Sequence, residues 1–334
     1  MKTAFVLCGG GSLGAVQVGM LAALNERGFR PDFLVGASVG ALNAAYLAAH
    51  GFETATVDRL ADVWRRLRRS DVFPFDPLRQ AMALAGRRPS LCSRGPLRRL
   101  INSSIAISDL LDARIALHVV ATDVMSGEEV LLSSGDAKSA LLASAAIPAV
   151  FAPVEREGRV LMDGGVANNA AVSQAIALGA ERVVVLPAGF ACALLAPPAT
   201  PLAAATHALS LLIEQRLIVE IAQLTDRAEI IVLPPLCPLS VSPIDFGAAN
   251  ELITRAHRSA GVCLDTGRHH LPRPERFLSL HSHPRLRPRR HHERDADLDP
   301  SSLETDKDRA TDRSSHVIVG ARGVVPLGVE EACR

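Results

Sequence analysis

Two hydrophobic patterns alternate along the first 260 or so residues of the chain. Short apolar runs, typical of buried strands, are followed by segments in which apolar residues recur every three or four positions, as in helices that pack on a sheet. The predicted strands cover residues 3–8, 33–36, 115–122, 129–132, 159–162, 182–186 and 229–233. The predicted helices cover residues 15–26, 39–49, 57–69, 136–146, 171–178, 203–224 and 246–260. This alternation predicts an α/β fold with three α/β/α layers and a mostly parallel central sheet.

The composition changes after about residue 266. Arg, His, Pro and Asp dominate as far as about residue 315, and large apolar residues are few. Such a segment cannot bury enough apolar surface to fold by itself. We therefore expect one folded domain over residues 1–266 and a disordered, charged and His-rich tail over residues 267–334.

Two segments between the second and third predicted strands depart from the simple alternation. Residues 57–69 form an amphipathic pattern rich in arginine, which fits an ordinary surface helix better than one lying on anionic lipid. Residues 71–108 are rich in Pro, Arg and Gly, a composition typical of an irregular insert. We interpret this insert as a candidate lid over a site.

Composition and charge narrow the classes of function. With 334 residues and 48% hydrophobic content, the chain can bury a large core. A formal net charge of +1 gives no electrostatic support for a nucleic-acid partner, and 4% aromatic residues argue against a stacking platform for bases. We therefore expect no nucleic-acid partner, while the oligomeric state is not indicated.

The cysteines and the N-terminal residues indicate the cellular compartment of the protein. Six cysteines are scattered without a C-x-x-C pair or a metal-ligand spacing, so neither a disulfide framework nor a metal site is expected. The apolar run after Lys2 stops at Gly9, too early for a secretory signal, and no stretch reaches the roughly 18 apolar residues of a spanning helix. We expect a cytoplasmic protein that touches, at most, the inner face of a membrane.

A glycine-flanked serine follows the second predicted strand. In the segment Gly36-Ala37-Ser38-Val39-Gly40 the strand ends and a helical pattern begins, so Ser38 lies on the turn between them. Small residues on both sides allow a sharp turn that exposes the hydroxyl in front of a helix N-terminus, which is the geometry of a nucleophile. Alternatively, Ser38 only caps the helix in a tight packing turn.

A glycine-rich loop, Gly9-Gly10-Gly11-Ser12-Leu13-Gly14, separates the first predicted strand from its helix. Its backbone N–H groups suit either a phosphate or a developing oxyanion. A dinucleotide site would need an acidic residue at the end of the second strand, whereas Asp32 precedes that strand and Ser38 follows it. This arrangement favours the oxyanion interpretation, because acyl transfer needs the donors and the nucleophile at one carbonyl group.

A third motif, Asp163-Gly164-Gly165, follows the predicted strand 159–162. Two glycines after a strand end can hold a carboxylate exposed with backbone close on one side, although the same residues also form simple turns. The order and spacing of the three motifs, with Ser144-Ala145-Ala146-Ile147-Pro148 ahead of the aspartate, resemble the patatin-like phospholipase family. The resemblance covers roughly residues 4–265 and implies a patatin-like fold and a lipid acyl hydrolase without cofactor or metal.

Matching the motifs implies residue roles. Ser38 would be the nucleophile and Asp163 the general base of a Ser-Asp dyad that works through an acyl-enzyme. The residues whose backbone would form the oxyanion hole are Gly9, Gly10, Gly11, Ser12 and Gly14, and those that would shape the two turns are Gly36, Gly40, Gly164 and Gly165. Many family members carry Arg or Lys in place of Leu13, so the resemblance implies no preference for anionic head groups here.

The sequence is compatible with two functions. The first is a serine acyl hydrolase that acts on phospholipid, lysophospholipid or another fatty ester. The second is a non-catalytic protein that binds a nucleotide or phosphate through the glycine loop. We expect no histidine in the mechanism, because the candidates within the predicted domain fall inside helical or strand patterns: His50, His118, His207 and His257.

Overall fold

One sheet of eight strands runs through the part of the chain that the computed structural model describes, which is residues 1–189, 197–198, 201–270 and 273–278. The strands are β1 (Thr3–Leu7), β2 (Phe33–Ala37), β3 (Ala116–Asp123), β4 (Glu129–Leu132), β5 (Val154–Arg156), β6 (Arg159–Asp163), β7 (Arg182–Leu186) and β8 (Glu229–Val232). Their order is β5-β6-β3-β2-β1-β7-β8, with β4 paired to β3 off this path. The pairings among β3, β2, β1, β7 and β8 are parallel, and those of β4, β5 and β6 are antiparallel.

Helices cover both faces of this sheet. The helices are α1 (Ala15–Glu26), α2 (Val39–His50), α3 (Thr54–Arg66), α4 (Arg69–Val72), α5 (Pro77–Leu84), α6 (Gly95–Ser104), α7 (Ala137–Ser144), α8 (Val172–Ala177), α9 (Pro201–Leu224) and α10 (Ala249–Asp265). Strand β1 shows the two faces, because Phe5 and Leu7 belong to one buried cluster while Ala4 and Val6 belong to another. The predicted three-layer α/β/α fold is thereby confirmed.

The periodicity located most elements to within a few residues. Helix α1 and strands β4 and β7 have the predicted bounds. The three-residue strand β5 was not predicted, because a run this short shows no clear alternation. Helix α3 begins three residues earlier than predicted, and its Val57, Leu60 and Trp64 are buried, as in an ordinary packed helix.

The prediction of an irregular segment over residues 71–108 was wrong. This segment contains α5 and α6, each of which has a proline in its first turn. Proline is compatible with that position because the first N–H groups of a helix have no partner within the helix. Helix α6 also buries Leu97 and Ile101, a spacing of four that the surrounding arginines obscure in the sequence.

Residues 51–113 form an excursion, a long connection between α2 and β3 that adds no strand to the sheet. At the return point the Arg114 N–H donates to the carbonyl of Ala48 near the end of α2 (2.8 Å). The excursion therefore begins and ends at one place, and α3 to α6 lie within it.

The chain continues to pack on the sheet just beyond residue 266. Residues Arg268–His270 and Pro274–Leu278 form 3-10 turns, and Leu278 is buried in the cluster that contains Ile230 and Val232 of β8. The rest of the predicted tail lies outside the described residues, and the division of the chain at residue 266 stays a prediction. No helix within the described ranges is long and apolar enough to cross a membrane.

Helix α2 lies unusually close to strand β1. A Cβ added at Gly40 would collide with the backbone carbonyl of Leu7. Glycine at this position lets the helix that follows Ser38 rest directly on the strand that precedes the glycine loop.

We expect Gly40→Ala to lower the free energy of unfolding by about 2 kcal/mol or more, because the added methyl group meets main chain that cannot move aside. The matched control is Gly95→Ala at the start of α6, where the Cβ would meet Ser93 Oγ at an ordinary 3.5 Å. Urea unfolding of both variants measures the difference. Equal stability of the two variants would contradict the close approach of α2 to β1.

Candidate active site

Ser38 occupies the sharp turn between β2 and α2, as the sequence predicted. Its backbone has φ 53° and ψ −125°, a conformation that costs free energy for a residue with a Cβ. The turn folds back so tightly that a Cβ at Gly36 would lie 2.6 Å from the Cα of Ala41. The Ser38 N–H donates to the Oγ of Ser144 at the end of α7 (2.9 Å), which holds the turn from a second side.

Asp163 lies next to Ser38 at the end of β6. The Ser38 Oγ donates a hydrogen bond to the Asp163 Oδ2 at 2.7 Å, and the Gly165 N–H donates to the Asp163 Oδ1 at 2.9 Å. Both Ser38 and Asp163 are only 6% exposed. The two motifs therefore meet in a buried place, with each carboxylate oxygen bonded to one donor.

Burial also changes the acidity of Asp163. Removal of the carboxylate from water raises its pKa to about 6, although the hydrogen bonds from Ser38 and Gly165 act in the opposite direction. A carboxyl group with this pKa is ionised near neutral pH and is a stronger base than an ordinary aspartate.

The glycine loop lies beside the serine. A Cβ at Gly9 would lie 3.0 Å from the Ser38 Cβ, so only a glycine allows the loop to approach so closely. Residues Gly11–Gly14 form a 3-10 turn that leads into α1. Glycine at position 14 also allows close packing, since a Cβ there would lie 2.5 Å from the Val39 side chain.

The hydrogen bonds of the glycine loop show which of its N–H groups are free to donate to an oxyanion. The Gly9 N–H donates to the Asn169 Oδ1 (2.7 Å), and the Ser12 N–H donates to the carbonyl of Pro243 (2.7 Å). Within the described part of the chain, the N–H groups of Gly10 and Gly11 have no acceptor. Of the loop positions that the sequence suggested, these two can donate to a ligand.

An apolar cavity borders Ser38 and Gly11. Side chains from the excursion of residues 51–113, from residues 145–151 and from Phe246 form most of its wall, and they include Trp64, Phe73, Leu97, Ile101, Phe151 and Phe246. Such a wall offers few polar partners, so the cavity suits a hydrocarbon chain. The insert over residues 71–108, which its composition suggested as a candidate lid over a site, contributes part of this wall.

Three of the four candidate histidines have other partners, and the fourth, His207, lies within α9. The His118 Nδ1 is 2.7 Å from the Oγ of Ser133, and burial lowers its pKa. The His50 Nε2 is 3.0 Å from the carbonyl of Ser104, and the His257 Nε2 is 2.8 Å from a Glu26 carboxylate oxygen. Among the described residues, neither Ser38 nor Asp163 has a histidine partner.

Two buried asparagines that support the site were not singled out from the sequence. Asn169 holds Gly9 through both its amide atoms, accepting from the N–H at 2.7 Å and donating to the carbonyl at 3.5 Å. Asn43 donates to the carbonyl of Gly14 (3.0 Å) and accepts from the Trp64 Nε1 (2.9 Å). Both are polar residues in Ala-rich segments, which is the signal that could have found them.

The described residues contain no group of three or more His, Cys, Asp or Glu side chains that could hold a metal ion.

The fold and the site agree with a comparison against known families. Residues 5–176 match the family model described as patatin-like phospholipase, and this match spans just over half of the chain. It includes the glycine loop, the serine turn and the Asp-Gly-Gly turn. The chain belongs to the patatin-like phospholipase family, which confirms the resemblance inferred from these three motifs.

Individual relatives share part of the chain. An NTE family protein of Mycobacterium bovis is 33% identical over 173 residues, which are 49% of this chain and 43% of the relative. Lysophospholipase NTE1 of Pyricularia oryzae is 26% identical over 191 residues, which are 55% of this chain and 12% of the relative. Among solved structures, VipD from Legionella pneumophila matches with a TM-score of 0.41 and 16% identity over 79% of this chain and 67% of that chain. The matched part of the chain thus spans less than half the length of each of these two curated relatives.

We expect Asp163→Asn to stabilise the protein at pH 8 but not at pH 4. A pKa of about 6 in the folded state against an ordinary 3.8 means that ionisation of Asp163 opposes folding, by roughly 3 kcal/mol once both states are ionised. This free-energy penalty is absent at pH values below the pKa of the unfolded state, and it grows as the pH rises to the pKa of the folded state. The amide removes the charge and can keep two hydrogen bonds, because its Oδ1 can accept from the Gly165 N–H and its Nδ2 can donate to the Ser38 Oγ. Its Tm gain should therefore appear at pH 8 and nearly vanish at pH 4.

Thermal unfolding of the wild type and the variant at both pH values measures this gain. Asp226→Asn, on an exposed turn, is the control and should show no such dependence on pH. A Tm difference that is the same at pH 4 and pH 8 would contradict a buried, ionised Asp163.

Proposed function

We propose that the protein is a serine lipid acyl hydrolase that cleaves fatty acyl esters with a Ser38–Asp163 dyad. The observation that carries this proposal is the 2.7 Å hydrogen bond from the Ser38 Oγ to the Asp163 Oδ2 beside an apolar cavity. Membership of the patatin-like phospholipase family supports the same reaction class.

In the first half of the reaction, Asp163 acts as general base. Its Oδ2 takes the hydroxyl proton of Ser38 as the Oγ attacks the carbonyl carbon of the ester. The carbonyl oxygen becomes an oxyanion, which the free N–H groups of Gly10 and Gly11 stabilise. Asp163 then returns the proton to the departing alkoxide, the C–O bond to the alcohol breaks, and an acyl-enzyme on Ser38 remains.

In the second half, water replaces the alcohol. Asp163 removes a proton from the water as its oxygen attacks the acyl carbon, and the oxyanion forms again at the same donors. Collapse of this intermediate breaks the bond to the Ser38 Oγ, which recovers the proton from Asp163. The fatty acid leaves and both residues return to their initial states.

The cavity indicates the substrate class. Because aromatic and aliphatic side chains such as Trp64, Leu97 and Phe246 form its wall, it favours the hydrocarbon part of an ester over a charged head group. The fungal relatives that are named lysophospholipases support a lipid ester as substrate. Phospholipid, lysophospholipid and simpler fatty esters all present the required carbonyl next to a long acyl chain.

The alternative of a nucleotide- or phosphate-binding loop has less support. Two of its N–H groups are engaged by Asn169 and by Pro243. Within the described residues, the N–H groups of Gly10 and Gly11 remain free, and two donors suit the single oxygen of an oxyanion better than the several oxygens of a phosphate.

The decisive experiment is labelling with a fluorophosphonate together with hydrolysis of a short soluble p-nitrophenyl ester. We expect the wild type to be labelled and active, and Ser38→Ala to lose both. Asp163→Asn should lose at least about 10³-fold in kcat, because a serine hydroxyl is a poor nucleophile without its base.

His118→Ala is the control, since this histidine lies within β3 and bonds to Ser133. It should keep most activity. Turnover that survives in Ser38→Ala, or a folded His118→Ala that is as inactive as Ser38→Ala, would overturn the assignment of the dyad.

We also expect kcat/KM for the soluble ester to rise with pH and to level off above a midpoint near pH 6. Burial raises the pKa of Asp163 to about 6, and only the ionised form can accept the serine proton. Initial rates between pH 4 and pH 8 measure the midpoint. A profile that is flat down to pH 4 would contradict a base with this pKa.

A further inference from the structure

We propose that the outer face of residues 65–99 docks onto an anionic lipid bilayer. This segment comprises the end of α3, the helices α4 and α5, and the first half of α6. The inference extends the proposed function by naming the surface from which the ester is drawn, and vesicle binding tests it without requiring hydrolysis.

The segment is strongly positive in a nearly neutral chain. Residues 65–99 contain ten arginines and two acidic residues, Asp71 and Asp76, whereas the whole chain has a net charge of +1. The two carboxylates are also committed to backbone groups, because Asp71 accepts from the Arg68 N–H (2.9 Å) and Asp76 from the Arg79 N–H (2.9 Å).

Most of these arginines are exposed and unpaired. Within the described ranges, seven of them are exposed and form no ion pair with a carboxylate. They are Arg66, Arg68, Arg69, Arg87, Arg88, Arg98 and Arg99. Unpaired arginines at this density complement a surface of phosphate and carboxylate groups, such as the headgroups of anionic lipids.

Helix α5 adds an apolar component to this surface. Its outward positions are Leu78, Ala81 and Leu84, followed by Ala85, and at 3.6 residues per turn they span an arc of about 120°. Leu78 is 70% exposed and Leu84 82%, and Phe75 just ahead of the helix is 74% exposed. A surface helix normally turns such a face inward. An outward apolar arc flanked by arginines is typical of a helix that lies in a membrane interface.

The position of the segment relative to the site favours a bilayer over an acidic protein. Inward side chains of the same segment, including Leu67, Phe73 and Leu97, line the cavity beside Ser38. A bilayer on the outer face would therefore lie one helix layer from the proposed acyl pocket. Apolar and cationic groups side by side match the two components of a lipid surface, acyl chains and anionic headgroups.

Sedimentation of the full chain with vesicles tests the proposal. We expect binding to phosphatidylcholine vesicles that contain phosphatidylserine, and at least tenfold weaker binding to vesicles of phosphatidylcholine alone. Binding should also weaken with added salt, because the arginines are exposed and their attraction to headgroups is screened.

Two variants locate the surface. Arg87→Glu/Arg88→Glu and Leu78→Ser/Leu84→Ser should each weaken binding at least tenfold. The matched control is Arg227→Glu/Arg258→Glu, which changes the net charge equally. Arg227 precedes β8. Arg258 follows His257, which contacts Glu26 at the end of α1. Both arginines therefore lie toward the amino ends of the parallel strands, whereas Ser38 lies at the carboxyl end of β2. The control should bind within about twofold of the wild type.

Hydrolysis of the soluble ester by all three variants separates this proposal from the proposed function. Retained hydrolysis with lost vesicle binding supports the docking surface, and absent hydrolysis in the wild type leaves the binding result intact. A wild type that does not bind phosphatidylserine vesicles, or a control that loses binding as deeply as Arg87→Glu/Arg88→Glu, overturns the proposal. A wild type that instead dimerises, with the dimer lost in Leu78→Ser/Leu84→Ser, assigns the surface to a second copy of the chain.

Discussion

The hydrogen bond between Ser38 and Asp163 is the constraint on which the site depends, because it joins residues 125 positions apart in the chain. Strand β3 brings them together. Its Val120 pairs with Ala37, the residue before the serine, and its Ala121 pairs with Asp163. A slip of one residue in either pairing would turn the side chain of Ser38 or of Asp163 to the opposite face of the sheet. The register of three strands thus sets a distance of 2.7 Å between two side-chain oxygens.

This arrangement opposes folding in two ways. Ser38 holds a positive φ that a residue with a Cβ rarely adopts, and Asp163 carries its charge in a place from which water is excluded. The surrounding core stabilises both, since α2 and β1 are buried along nearly their whole length. A strained backbone and a buried charge inside an otherwise well-packed fold are typical of a functional site.

The sequence predicted local structure best where a residue type has one main structural role, as glycine has in sharp turns. The glycines around Ser38 and Asp163 indicated sharp turns, and the structure has close backbone contacts at Gly36 and Gly164. The sequence could not predict which N–H groups of the glycine loop stay free. Asn169 and Pro243, which accept hydrogen bonds from the Gly9 and Ser12 N–H groups, lie in distant parts of the chain.

The apolar wall escaped prediction for a related reason. Its residues come from α2, α3, α6, the segment between α3 and α5, residues 145–151 and Phe246, and each contributes only a few side chains. Such a surface exists only after the tertiary fold has formed. The arginines around α5 and α6 further hid a helical pattern that depends on two or three apolar residues.

The Ala48–Arg114 hydrogen bond, which closes the excursion of residues 51–113, has a consequence for how this protein can diverge. A segment whose two ends are fixed side by side can lengthen or shorten at little entropic cost, since the cost of closing a loop grows only slowly with its length. The dyad and the glycine loop lie outside this segment, whereas much of the cavity wall lies inside it. Under the proposed function, exchange of residues 51–113 between related chains would therefore alter acyl-chain selectivity while Ser38, Asp163 and the glycine loop keep their places.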